Sequence, residues 1–129
     1  MKSVTEILSE KKRAIFGVGV SEDAVLEAEK KLNVKFADSY KKYLVTYGVV
    51  AYSGHELTGL SKSDRTDVVK VTVMEKEINN LVPDELYVIE QTNVEGIVIW
   101  QNESGEIFRT DMVSEPRKVY NSFEDFLLR

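Results

Sequence analysis

The sequence predicts an α+β fold, with helices toward the N-terminus, strands through the second half and a short helix at the C-terminus. Three observations carry the prediction. Val20 to Gly48 reads as two consecutive amphipathic helices with start and stop signals, Gly96 to Thr110 reads as a β-hairpin, and Asn121 to Leu127 reads as a capped last helix.

The bulk properties set the class. At 129 residues the chain fits one domain of ordinary size, and we expect residues 1–129 to form a single one. Hydrophobic residues make up 43% and charged residues 30%, a composition that buries enough apolar surface to fold. A net charge of -5 and a pI near 5.0 argue against nucleic-acid binding, which needs a basic face; only Lys11-Lys12-Arg13 clusters positive charge. A basic protein partner is compatible with that balance. The chain has no cysteine, so disulfides, thiolate metal sites and cysteine nucleophiles are excluded. The N-terminus lacks the uninterrupted apolar run of a secretory signal, and no stretch approaches the ~20 apolar residues that span a bilayer. A cytoplasmic protein without membrane association is expected.

Ser3-Val4-Thr5-Glu6 fits a capping box, so a helix begins there, with Val4, Ile7, Leu8 and Ile15 at roughly helical spacing and Gly17 and Gly19 as stop signals. Ser21 caps the next helix, Glu22 and Asp23 complement its dipole, and Val25, Ala28 and Leu32 line one face. Asn33 is a left-handed stop. After Val34-Lys35-Phe36, Asp38 is the expected cap of a helix in which Tyr40, Tyr43, Leu44 and Tyr47 follow the i, i+3, i+4, i+7 pattern before Gly48 ends it. Core packing with each hydroxyl finding a partner is the favoured reading of these tyrosines, over a ligand-stacking platform.

The run Val25 to Gly48 resembles the signature of the SMI1/KNR4 (SUKH) superfamily, in which a glutamate-bearing amphipathic helix is followed by a Leu-Pro break, an aromatic and a second helix closing on glycine. Glu29 matches the glutamate, Tyr40 the aromatic and Gly48 the closing glycine, while Phe36-Ala37 stands where the pattern has Leu-Pro. The resemblance implies N-terminal helices and a C-terminal helix packed around a mainly antiparallel sheet. It assigns Glu29, Phe36, Tyr40 and Gly48 structural roles.

Val49 to Tyr52 and Leu57 to Leu60 read as short strands around Ser53-Gly54, followed by a polar loop from Ser61 to Arg65. Asp67 to Asn80 is ambiguous: Val69, Val71 and Val73 alternate as in a strand, whereas the resembling family places a helix here, which we adopt. Pro83-Asp84 turns into a strand at Leu86 to Glu90. Gly96 to Gln101 and Glu106 to Thr110 bracket the turn Asn102 to Gly105. Ser122 or Asn121 caps the last helix, which carries Phe123, Phe126 and Leu127.

No cluster announces a reaction. His55 is the lone imidazole, in an expected turn, and reads as a surface histidine; no catalytic residue is assigned. Carboxylate pairs such as Asp64 with Asp67 or Glu75 with Glu77 exist by spacing alone. No metal-ligand spacing is present, and no cofactor is expected. Candidate partner-binding residues are Tyr52 and Trp100 as aromatics, Asp64 in its polar loop, and Glu90, Glu95 and Glu103 as an acidic rim at strand ends. Trp100 also reads as core.

What the resemblance implies is a binding protein, not an enzyme: bacterial relatives are commonly cytoplasmic immunity proteins that occlude a cognate toxin domain, often a nuclease, of a polymorphic toxin system. An acidic inhibitor suits a toxin with a basic surface. The alternative it implies is an intracellular scaffold or regulatory adaptor of the SMI1/KNR4 type.

Overall fold

The computed structural model describes residues 2–129. Ser3 opens α1 (Val4–Ser9) through a complete capping box: its hydroxyl accepts from Glu6 N–H while the Glu6 carboxylate accepts from Ser3 N–H. The helical spacing does not extend to Ile15. Ile15–Phe16 instead forms β1, an edge strand in which Ile15 is exposed. Gly17 and Gly19 do not stop a helix either. A Cβ at Gly19 would lie 2.0 Å from the Val45 carbonyl oxygen, so glycine here lets one backbone cross closely over another.

Ser21 caps α2 (Glu22–Leu32), and Asn33, at φ 53°, ends it in the left-handed conformation expected. Glu29 is buried on this helix, and its carboxylate accepts the Phe36 N–H at 2.8 Å. That bond ties the break after α2 back onto the helix. Asp38 is not the cap of α3 (Asp38–Tyr47): it is the first helical residue, and Ala37 takes the cap position without a side-chain bond. The Ala37 N–H instead donates to the Tyr87 hydroxyl at 2.9 Å. A proline at 37 would have no N–H to give, so the departure from Leu-Pro is matched by a partner elsewhere in the fold.

Tyr40 and Tyr43 of α3 are core residues, Tyr47 is half-buried against them, and every hydroxyl is engaged, that of Tyr47 donating to the Thr5 carbonyl at 3.1 Å. Thr58 donates its O–H to the Val88 carbonyl at 2.7 Å, so Tyr40 donates to Thr58 Oγ1 at 2.8 Å, and Tyr43 donates to the Thr58 carbonyl at 2.6 Å. Tyr87 donates to Gln101 Oε1 at 2.7 Å. Phe36, Tyr40 and Tyr87 pack ring to ring at centroid distances of 4.8 to 5.1 Å.

Two antiparallel sheets follow. β1, β2 (Val50–Tyr52) and β3 (His55–Glu56) form one; β4 (Tyr87–Gln91), β5 (Ile97–Gln101), β6 (Ile107–Asp111) and β7 (Arg117–Tyr120) form the other, in sequence order. The expected strand at Leu57 to Leu60 is replaced by β3, and Leu57 and Gly59 make only isolated bridges. The Leu57–Glu90 bridge and the Thr58 N–H to Ile89 carbonyl bond stitch the sheets together. β7 was not expected at all.

Residues 67–80 contain α4 (Val68–Ile78), as adopted: Asp67 caps it, and Val68, Val71, Thr72 and Glu75 are buried at i, i+3, i+4, i+7. The misleading alternation ends at Val73, which faces solvent. α4 covers one face of the four-stranded sheet over Val88, Val98 and Trp100. The opposite face, with Tyr87, Ile89, Ile99 and Ile107, packs with α1, α3 and the last helix, α5 (Phe123–Leu128), which Ser122 caps as predicted.

Candidate binding cleft

Strand alternation decides where Glu90 points. Val88 pairs with Trp100 and Glu90 pairs with Ile99, so an extra residue, Ile89, is inserted between them. Bulges re-aim side chains and are frequent beside functional sites. Without this one, Glu90 would share the α4 face with Val88. With it, Glu90 lies on the Ile99 face, and Gln91 takes the α4 side, where its amide meets Glu75 at 3.5 Å.

Glu90 is 3% exposed and forms the floor of an open cleft of about 320 Å³ with walls from Val94, Ile97, Ile99, Val119 and Phe126. The His55 Nδ1–H donates to Glu90 Oε2 at 2.8 Å, because the carboxylate can only accept. Glu90 Oε1 makes no hydrogen bond among the described residues; the Arg129 guanidinium stands 3.7 Å away, beyond hydrogen-bonding distance. Arg129 lies 3.8 Å over the Phe126 ring, donates to the Phe126 carbonyl and touches the His55 ring. Tyr52 lies beside the cleft, not in its lining. It is 5% exposed, stacks on His55 at 5.2 Å, and its buried hydroxyl has no hydrogen-bond partner among the described residues. Burial pushes the Tyr52 phenol up, and the nearby guanidinium of Arg129 opposes that rise without reaching hydrogen-bonding geometry.

The cleft is thus an apolar-walled pocket lined by a buried carboxylate, an imidazole and a guanidinium, with the Tyr52 phenol enclosed beside it. Thr92 also lines it, with its O–H donated to the Ile97 carbonyl at 2.8 Å. Among the described residues no three acidic or histidine side chains converge as a metal ion would require.

A second surface adjoins the cleft at Val94, which is exposed. The β4–β5 and β6–β7 turns meet where Met112 N–H donates to the Gly96 carbonyl, and Asn79 Nδ2 binds the Met112 and Ser114 carbonyls at the end of α4. Ile78, Leu81, Val94, Met112 and Val113 are therefore brought to one end of the sheet, each about half or more exposed. Glu77, Glu95 and Glu115 are exposed beside them and make no ion pair among the described residues. Nearby cations are already engaged or close to carboxylates: Lys76 donates to the Asp84 carbonyl, and Arg117 acts on Asp111.

The structure brings together two of the expected partner-binding residues, Tyr52 and Glu90, and disperses the rest. Trp100 is fully enclosed and donates to Thr110 Oγ1 at 2.9 Å, which makes it a core residue and no surface anchor. Glu90 is the penultimate residue of β4, near a strand end as expected, but it is buried. Glu95 and Glu103 flank opposite ends of β5, so the three glutamates form no single rim. Asp64 is exposed and paired with Lys70, whereas Asp67 is committed to capping α4, which separates that carboxylate pair by role. Glu75 is buried and Glu77 exposed on different faces of α4. His55 is not a free surface histidine, and Arg129 was missed entirely.

Among the described residues, no helix is long and apolar enough to cross a membrane. No curated protein matches the chain. A family model described as SMI1-KNR4 cell-wall matches residues 1–129, the full length given, and the chain belongs to that family, within the SUKH superfamily.

Proposed function

We propose that this protein is an immunity protein: it binds a cognate toxin domain with a basic surface and neutralises it by stoichiometric occlusion, without turnover. The observation that carries the reading is the exposed apolar strip of Ile78, Leu81, Val94, Met112 and Val113, bordered by Glu77, Glu95 and Glu115, which are unpaired among the described residues. Contiguous exposed apolar side chains with a polar border mark protein-binding surfaces, and the border's charge selects a basic partner and speeds its capture. Membership of the SUKH superfamily supports a binding role of this kind. A nuclease toxin fits best, because its substrate channel is basic to hold phosphates.

The test is direct association. A toxin domain encoded by a neighbouring gene is expected to co-elute with the protein as an equimolar complex in size-exclusion chromatography. Changing Glu77, Glu95 and Glu115 together to lysine is expected to slow association by about tenfold or more at low salt, with the difference shrinking as salt is added. Separate elution of wild-type protein and toxin would sink the proposal.

A further inference from the structure

We infer that the Glu90 cleft is a receptor for an arginine side chain of the partner, and that Arg129 occupies it in the free protein. The inference rests on the proposal that the partner is a basic protein, and it names the contact that such a partner makes. The bulge at Ile89 turns Glu90 inward, where 3% exposure leaves a carboxylate at the base of an apolar well. An ion in that position needs a counter-charge, and the chain's own guanidinium supplies one imperfectly: Arg129 reaches only to 3.7 Å from Oε1.

Two polar positions are left over. Among the described residues Glu90 Oε1 accepts no hydrogen bond, and the buried Tyr52 hydroxyl makes none although the Arg129 guanidinium stands near it. A guanidinium entering over Phe126 would donate to Oε1 and meet the Tyr52 oxygen while its methylenes lie along Val94, Ile97 and Val119, the combination of planar donors and apolar stem that arginine offers. Arg129 already shows that the Phe126 face and the carboxylate accept this chemistry, at 3.8 Å and 3.7 Å. Arg109 does not fill the place, because its guanidinium is held by Asp111 through two bonds of 2.9 and 2.7 Å. An acidic side chain entering instead would face the Glu90 carboxylate.

Because the internal occupant must leave first, its removal is expected to strengthen binding. The probe is Nα-acetyl-arginine methylamide, titrated into the full chain while the His55 and Tyr52 ring signals are followed by NMR, with Nα-acetyl-glutamate methylamide as the comparison. Arg129→Ala is expected to bind the arginine probe about tenfold tighter than wild type, since the site is no longer mostly occupied. Glu90→Gln is expected to abolish the response, and thermal melting establishes that it is folded. Weaker or unchanged binding in Arg129→Ala would overturn the inference, as would preference for the glutamate probe. If the toxin complex forms with an affinity indifferent to both Glu90→Gln and Arg129→Ala, the cleft assignment fails while the immunity reading stands.

Discussion

Raising the pH to about 11 is expected to remove about 4 kcal/mol of folding stability relative to neutral pH, through Tyr40, Tyr43 and Tyr87 alone. Burial pushes all three phenols well above the ordinary value of 10.0, because a phenolate in the core would lose its hydration. Each also donates its proton to a fixed acceptor. The folded state therefore holds these protons more tightly than the unfolded chain does. The stability they contribute is complete below pH 10, where both states keep the proton, and falls as the unfolded tyrosines ionise. Each costs about 1.4 kcal/mol per pH unit above that point. Urea unfolding across this range measures the slope, and Tyr43→Phe is expected to make it shallower by one tyrosine's share. A midpoint that stays constant up to pH 11 would contradict the buried network.

Replacing Gly48 with alanine is expected to cost about 3 kcal/mol or more. Gly48 sits at φ 72°, where L side chains are strained, and an added Cβ would lie 2.3 Å from the Val18 carbonyl oxygen. The clash is with the Val18 backbone, and because Val20 N–H is bonded to the Leu44 carbonyl and Leu60 N–H to the Gly48 carbonyl, neither segment shifts freely. Thermal unfolding should drop by on the order of 10 °C. Gly54→Ala is the control: Gly54 has φ 83° with nothing within 4 Å of the added methyl, so it isolates backbone strain, and a loss of about 1 kcal/mol is expected. Equal losses at the two positions would show that the close approach at Gly48 contributes nothing.

The parts of this fold that were legible in sequence are those governed by neighbours along the chain. Ser3, Ser21 and Ser122 signal helix starts through hydroxyls that reach backbone N–H groups three residues on, and Asn33 signals a stop through its own backbone preference. The tyrosine spacing of α3 is likewise local. Glu29 is visible only through the family pattern, yet its role is simple: it holds the Phe36 N–H. The cleft is different. A bulge adds one residue to a strand without changing its composition, so periodicity alone places Glu90 on the wrong face. Its partners come from far along the chain, His55 from β3 and Arg129 from the end of α5, and no spacing rule joins them. β1 escaped notice because two residues are too short to show any alternation, and β7 because its mixed polarity shows no clear one. Trp100 looked like a possible anchor because tryptophan is frequent at binding hot spots, but the apolarity of its strand is the better guide, since Trp100 is fully buried.

The most direct measurement is a titration of the toxin's own activity. With the toxin domain fixed at a concentration well above the dissociation constant, activity should fall linearly as this protein is added and reach zero at one equivalent, which is the behaviour of a stoichiometric inhibitor. Unchanged activity at many equivalents, or a loss that continues catalytically at a small fraction of an equivalent, would contradict neutralisation by occlusion.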